Sequence, residues 1–139
     1  MHTQLNPYIN FKDNARQAFE FYHSVLGGNL ELNTFGEYHA SDDPNEQDKI
    51  MHANLTLDSG EAIMGADTPS SMEFREPWGF SVILTGENAD ELRGYFEKLS
   101  ANGAVLMPLE KQIWGDEFGM VKDQFGIAWM VNIYSPKTS

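Results

Sequence analysis

The sequence predicts an α+β fold made of two βαβββ modules in tandem. Some segments have the alternating apolar pattern of strands, and others have apolar residues spaced three and four apart, as in helices. These segments follow one another in the same order in each half of the chain. The stretch Gly60-Glu61-Ala62-Ile63-Met64 is echoed by Gly126-Ile127-Ala128-Trp129-Met130, with Gly, Ala and Met at matching places. Asn14-Ala15 likewise matches Asn88-Ala89 ahead of the two helices. Shared order and phase indicate an internal duplication.

The first module is predicted over residues 3–68. A strand at Leu5–Phe11 precedes a helix that Asp13 or Asn14 caps and Gly27-Gly28 ends. The apolar stripe of this helix is Ala15, Ala18, Phe19, Tyr22, Val25 and Leu26. Three more strands are predicted at Leu30–Phe35, Ile50–Leu57 and Glu61–Ala66. The polar, acidic segment 36–49 is predicted to be a mobile surface loop.

The second module is predicted over residues 78–135, after a connector at 67–77. Its strand Gly79–Thr85 precedes a helix capped by Asn88 or Asp90 and ended by Asn102-Gly103. The stripe of this helix is Ala89, Leu92, Tyr95, Phe96 and Leu99. A strand follows at Ala104–Leu109, and the stretch 113–131 supplies the last two strands. Three aromatic–glycine turns are predicted in that stretch, at Trp114-Gly115, Phe118-Gly119 and Phe125-Gly126.

Composition excludes several classes of function. The 139 residues carry a formal net charge of −12, and the nine Lys and Arg residues do not cluster, which argues against nucleic acid and anionic membranes as partners. The absence of cysteine removes disulfides, thiolate zinc sites and thiol nucleophiles, and fits a cytoplasmic location. We find no signal peptide and no apolar run long enough to span a membrane.

Several motifs together resemble the vicinal-oxygen-chelate superfamily of glyoxalases, bleomycin-resistance proteins and extradiol dioxygenases. The motifs are Pro7-Tyr8, Asn14-Ala15, Phe21-Tyr22, Lys49 to Ala53, Met107-Pro108, Trp114-Gly115, Phe118-Gly119, Asp123, Phe125-Gly126 and Trp129. They are most similar to the PhnB-like branch, often labelled 3-demethylubiquinone 3-methyltransferase-like. The resemblance implies one glyoxalase-like domain over residues 1–139, whose two modules curl their sheets into cups, in a homodimer.

The resemblance also implies where a divalent metal would bind, and the residues at those places are unsuitable. Glyoxalase-type ligands are two His and one or two Glu, which suit a borderline cation. Carried over, the first His falls on Pro7 and the second on Phe80, or on Ser81 if the register slips by one. The two Glu fall on or beside Met64 and on Met130. We therefore expect no metal and no other cofactor.

Other residues are candidates for a ligand site. His52 and Asn54 fall on one face of the strand Ile50–Leu57, where His52 could act as a general acid or base or form a plain hydrogen bond. Tyr8 and Trp114 could line a cup, and Asp67 could bind a ligand or only cap backbone N–H groups. The same choice between ligand site and surface is open for Glu37 and His39. We expect His2 and His23 to lie on the surface.

Three functions remain open at this stage. The first is metal-free binding of an unknown apolar or aromatic small molecule, with Tyr8, His52, Asn54 and Trp114 around it. The second is an isomerase- or lyase-like enzyme that uses His52 as acid or base. The third is a structural or interaction module. A methyltransferase is not supported, because the first strand-to-helix connection, Lys12-Asp13-Asn14, lacks the glycines of a nucleotide-binding turn.

Overall fold

The computed structural model describes residues 3–136. The chain forms two compact units, with the boundary in the sequence between Glu76 and Pro77. His2, predicted to lie on the surface, falls outside the described residues. In each unit, a four-stranded sheet packs one face against one helix. The predicted order βαβββ is confirmed in both units. No helix within residues 3–136 has the length and apolar character needed to cross a membrane.

The first unit contains strands β1 to β4 and helix α1. Its elements are β1 (Tyr8–Phe11), α1 (Ala15–Leu26), β2 (Asn29–Thr34), a 3-10 turn (Pro44–Glu46), β3 (Ile50–Thr56) and β4 (Ala62–Asp67). The strand order is β1-β4-β3-β2, with β1 parallel to β4 and the other neighbours antiparallel. The predicted stripe of α1 faces the sheet, and Ala15, Ala18, Phe19, Tyr22 and Val25 are buried.

The second unit repeats this topology. Its elements are β5 (Val82–Gly86), α2 (Ala89–Ser100), β6 (Ala104–Lys111), β7 (Glu117–Lys122) and β8 (Ala128–Ile133). The strand order is β5-β8-β7-β6, again with one parallel pair, β5 with β8. The echo seen in the sequence is structural, since β4 and β8 each begin at an alanine two residues after a glycine, Gly60 and Gly126, with φ of +98° and +87°. Asn88 caps α2 by accepting a hydrogen bond from Glu91 N at 3.1 Å, as predicted.

Helix α1 is capped from a distance, contrary to the prediction. Asn14 occupies the N-cap position without a side-chain hydrogen bond. Asp67, at the end of β4, accepts a hydrogen bond from Ala15 N at 2.9 Å instead. Asp13 takes a φ of +68° and forms an ion pair with Lys49 at 2.8 Å. The cap comes from the neighbouring strand because β4 ends directly beneath the first turn of the helix.

Phe118-Gly119 was predicted to be a turn, and this prediction is wrong. Both residues lie inside β7. A Cβ on Gly119 would lie 2.7 Å from Cε2 of Phe96 and 2.8 Å from Cα of Leu109. Glycine is required there because α2 and β6 approach the strand closely.

A bulge changes the predicted faces of β3. The pairing with β2 shifts between Asn33–His52 and Thr34–Ile50, so Met51 has no partner of its own. Ile50 is consequently buried in the core, and Met51 is only partly buried. Strict alternation along the strand would place Met51 on the buried side with Ala53 and Leu55, and because of the bulge only the latter two are buried.

The acidic loop 36–49, predicted to be a mobile surface loop, makes several hydrogen bonds to the end of the sheet and within itself. Phe35 N and Gly36 N donate to the carbonyl oxygens of Lys49 and Gln47, both at 3.0 Å. The Gln47 amide donates to Ser41 O at 2.7 Å. Hydrogen bonds of this kind fix the loop to the end of the sheet.

Candidate functional site

The first unit presents a polar sheet surface opposite its helix. We call the side of the sheet that faces away from α1 the first cup face. A row of paired residues crosses all four strands on it, Tyr8–Met64–Asn54–Glu31. His52 lies one pair further along β3, opposite Asn33. The face therefore carries three of the predicted site residues, Tyr8, His52 and Asn54.

A hollow of about 530 Å³ opens at one end of this face. We call it the first hollow. It is lined by Tyr8, Asn10, Phe35, Met51, Ala66, Asp67, Thr68, Pro69, Met72, Glu73, Phe74 and Arg75. Tyr8 is 50% exposed, and the burial of the rest of the ring raises the pKa of its phenol. His52 and Asn54 lie outside the lining, so the predicted group divides between the hollow and the sheet beside it.

Asp67 borders the hollow but its carboxylate is already engaged. It is 4% exposed, and its two oxygens accept hydrogen bonds from Ala15 N and Ile50 N, both at 2.9 Å. Each of these donors begins an element, α1 and β3 respectively. The structure thus assigns Asp67 the backbone-capping role that the sequence left as one of two alternatives.

His52 has no acid–base partner in the described part of the chain. Neither a hydrogen bond nor an ion pair joins it to a carboxylate within residues 3–136. Asn33, its partner on β2, donates instead to Glu37, with Nδ2 and Oε2 3.3 Å apart. A general acid or base needs a partner that orients it, and this geometry does not supply one.

Asn54 carries an unusual acceptor. Its Oδ1 is buried without a hydrogen-bond partner among residues 3–136. A buried polar atom of this kind costs stability, on the order of 1–3 kcal/mol. Such atoms in folded proteins call for a functional or structural explanation.

The second unit presents an apolar sheet surface in the equivalent place. We call the side that faces away from α2 the second cup face. Its row across the four strands is Ile83–Met130–Met120–Met107. By position, Ile83 replaces Tyr8 and Met120 replaces Asn54. The two repeats therefore share the geometry of the row and differ in its chemistry, which is polar in the first unit and apolar in the second.

A second hollow, of about 590 Å³, opens on this face. We call it the second hollow. It is lined by Pro77, Trp78, Gly79, Phe80, Ser81, Ile83, Leu106, Lys122, Gly126, Ala128 and Met130. Trp78 is 94% exposed, an unusual state for so large an apolar ring. Sequence reasoning did not place Leu106 or Lys122 in a site.

Trp114 stands at the turn between β6 and β7. Its ring is 58% exposed and packs edge-on against Phe118, with centroids 6.1 Å apart. Trp114 could line a cup according to the sequence, but it does not line the second hollow. Trp129, by contrast, is fully buried and donates from Nε1 to Asp123 at 2.9 Å, which makes it a core residue.

The residues at the glyoxalase-type metal positions do not fit a metal. Met64 and Met130 occupy matching places in the two sheet rows, and Phe80 and Ser81 line the second hollow. Thioether, phenyl and hydroxyl groups lack the negative charge and basicity that Mg²⁺, Ni²⁺ or Zn²⁺ require. Within residues 3–136 no three His, Asp or Glu side chains form a group that could hold a metal ion.

Comparison with known proteins gives consistent relatives. Residues 3–132 match the model of the family described as 3-demethylubiquinone-9 3-methyltransferase. Protein YjdN of Escherichia coli K12 is 29% identical over 140 residues, which cover 93% of this chain and 94% of YjdN.

Solved structures agree with this grouping. Protein PA1353 of Pseudomonas aeruginosa is 39% identical, with a TM-score of 0.87 over 97% of this chain and all of PA1353. The PhnB protein of Bacillus cereus is 24% identical, with a TM-score of 0.72 over 95% of this chain and all of its own. A glyoxalase family protein of the same species, 17% identical with a TM-score of 0.66 over 98% and 96% of the two chains, shares the fold. The predicted glyoxalase/bleomycin-resistance fold is confirmed.

Proposed function

The chain belongs to the PhnB-like family described as 3-demethylubiquinone-9 3-methyltransferase, within the glyoxalase/bleomycin-resistance fold, and from this premise we propose that it binds an apolar or aromatic small molecule in its cups without a metal. The family description names an activity, but the chain lacks the glycine-rich turn that a nucleotide-type cofactor needs. The proposal therefore rests on the cups themselves.

One observation supports the proposal most strongly. Phe80 and Met130, at places where metal-dependent members of the superfamily carry ligands, line the second hollow together with Trp78, Ile83 and Leu106. Positions that carry a metal-binding His or Glu in those members present hydrocarbon and thioether groups in this chain. Methionine and aromatic side chains adapt well to flat apolar molecules, because sulfur and ring contacts are favourable and the thioether stem is flexible. Hollows of several hundred Å³ lined by such residues are typical of small-molecule sites.

The acid–base alternative is weaker. It needs a partner for His52, and no carboxylate bonds to His52 in the described residues. The homodimer implied by the resemblance stays a prediction, which the molar mass from multi-angle light scattering checks.

Binding is tested with a neutral fluorescent probe, N-phenyl-1-naphthylamine. The change Met130→Glu places a carboxylate in the second hollow and is expected to weaken probe binding by about tenfold or more, because the charge must be desolvated. Val105→Glu is the matched control, since Val105 is an exposed apolar residue of β6 outside the hollow. Equal affinities of the wild type, Met130→Glu and Val105→Glu would contradict the proposal.

Metal independence is tested by a thermal melt over Mg²⁺, Mn²⁺, Ni²⁺ and Zn²⁺, together with elemental content. A cation that binds only the folded state raises the melting temperature by mass action. We expect no rise and no bound metal after purification. One equivalent of metal with a clear rise would contradict the metal-free part of the proposal.

A further inference from the structure

Glu46 is a buried carboxylate that the site described above does not use. It ends the 3-10 turn Pro44–Glu46 and is 3% exposed. Its Oε1 accepts two hydrogen bonds from one residue, from Ser70 N at 3.1 Å and from Ser70 Oγ. A carboxylate is buried at acceptable cost only when such donors satisfy it. The pairing with Ser70 therefore explains why a charged residue can lie in this place.

The turn that carries Glu46 is held in position on both sides. Before it, Asp43 Oδ1 accepts a hydrogen bond from Asn45 N at 2.9 Å. After it, Gln47 O accepts from Gly36 N at 3.0 Å, and Lys49 forms an ion pair with Asp13 at 2.8 Å. Glu46 is thus presented from a fixed platform at the end of the first sheet.

The segment that Glu46 holds forms half of the first hollow. We call residues 68–75 the strap. Thr68 N donates to Phe11 O at 2.8 Å where the strap leaves β4, and Met72 N donates to Pro69 O at 2.9 Å within it. Among the hydrogen bonds of residues 3–136, those of Ser70 to Glu46 are the ones that join residues 69–76 to another segment. The strap residues that line the hollow are Thr68, Pro69, Met72, Glu73, Phe74 and Arg75.

We propose that Glu46 is a positioning residue, which holds the strap through Ser70 and thereby sets the shape of the first hollow and the size of molecule that it accepts. The first half of this inference concerns the strap alone. The second half rests on the proposed function, since it supposes that the hollow takes a ligand. Glu46 is not among the residues that line the hollow and acts through the strap.

The strap is tested by hydrogen exchange of backbone amides in the full chain. In Glu46→Ala the amides of Ser70 and Met72, which donate to Glu46 Oε1 and to Pro69 O, are expected to exchange about tenfold faster, because a charge-assisted pair of hydrogen bonds is lost. Amides of β3 and β4 keep their wild-type rates. Glu61→Ala is the control, because it removes the same charge from an exposed position before β4. Unchanged exchange of the Ser70 and Met72 amides in Glu46→Ala would overturn the proposal.

Two further variants separate positioning from a general loss of structure. Glu46→Gln keeps an oxygen that can accept from Ser70 and is expected to restore most of the protection of the strap. Ser70→Ala removes only the hydroxyl donor and is expected to give a smaller acceleration at the same amides. It also replaces Glu46→Ala if that variant does not fold, as judged by circular dichroism.

The effect on the first hollow is measured in the Met130→Glu background, in which the second hollow is expected to bind weakly, with two probes of different size, N-phenyl-1-naphthylamine and 1-naphthylamine. On this background, Glu46→Ala is expected to change the ratio of the two dissociation constants at least threefold, and Glu46→Gln to return it toward the ratio of the Met130→Glu protein. Faster amide exchange in the strap with an unchanged ratio of the two dissociation constants would overturn the role of Glu46 in binding. Failure of the wild type to bind either probe would defeat the proposed function and this second half with it, while the exchange rates alone decide the first half.

Discussion

Gly28 and Gly103 occupy equivalent places in the two repeats, each pressed against the last carbonyl of a strand. A Cβ on Gly28 would overlap the carbonyl group of Thr56, which ends β3. A Cβ on Gly103 would overlap that of Lys122, which ends β7, and would lie 3.0 Å from Cα of Asp123. The same close approach after each helix shows that the duplication kept a packing constraint as well as an order of elements.

Gly103→Ala is expected to lower the free energy of unfolding by about 1–3 kcal/mol, because backbone atoms must move to admit the methyl group. Gly94→Ala is the matched control. A Cβ on Gly94, inside α2, meets nothing within 4 Å, and alanine should stabilise that helix by about 0.5–1 kcal/mol. Urea denaturation followed by circular dichroism measures both. If both variants changed the free energy of unfolding in the same direction, this account of Gly103 would be contradicted.

Asp67→Asn tests the long-range cap of α1. The amide retains one acceptor oxygen and gains a donor group, so either Ala15 N or Ile50 N loses its partner. We expect a loss of about 1–3 kcal/mol of stability, the cost of an unsatisfied buried donor. Asp58→Asn, in the exposed turn before β4, is the control and should change stability by less than about 0.5 kcal/mol. Asp67→Asn as stable as the wild type would show that the carboxylate is not the cap.

Asn54→Val is expected to stabilise the protein by about 1 kcal/mol. The change removes a buried acceptor that has no partner in the described residues, and valine suits a strand. Asn132→Val should instead lower the stability of the protein, because the Asn132 amide donates to Asp116 at 3.1 Å and this hydrogen bond is lost. Thermal unfolding of the two variants decides the matter. A destabilised Asn54→Val would mean that Oδ1 has a partner, such as an ordered water.

Acid is expected to destabilise the first unit partly through Glu46. Hydrogen bonds from Ser70 hold the pKa of the Glu46 carboxyl below its ordinary value of 4.5, although burial opposes them. A carboxyl whose pKa is lowered by folding contributes stability above its unfolded pKa, and this contribution is lost as the pH falls through the folded value. The melting temperature should therefore fall below about pH 4.5, less steeply in Glu46→Gln than in the wild type. Glu61→Gln should follow the wild-type slope, and equal slopes in all three proteins would contradict the assignment.

The sequence predicted what depends on local periodicity. The stripes of both helices, the cap by Asn88 and the echo of β4 in β8 are set by residues a few positions apart, and each is confirmed. The boundaries of the two predicted modules follow from the same patterns.

The features that were missed depend on partners far apart in the chain. Asp67 caps a helix 52 residues before it, and Glu46 holds a serine 24 residues after it. Gly119 was misread as a turn because a close approach of α2 and β6 leaves no trace in the neighbouring residues. The lining of the first hollow was anticipated only in part for the same reason. Tyr8 and Asp67 border a hollow, whereas the strap that completes it was read only as a connector.

The strand order also governs when each sheet can be completed during synthesis. β4 inserts between β1 and β3, and β8 inserts between β5 and β7. Each sheet is therefore closed by the strand that leaves the ribosome last in its unit, and until then two strand edges of that sheet lack their neighbour. Unpaired edges are where nascent chains associate wrongly. The facing edges of β5 and β7 therefore stay open to wrong association until β8 is in place, as do those of β1 and β3 until β4 is in place.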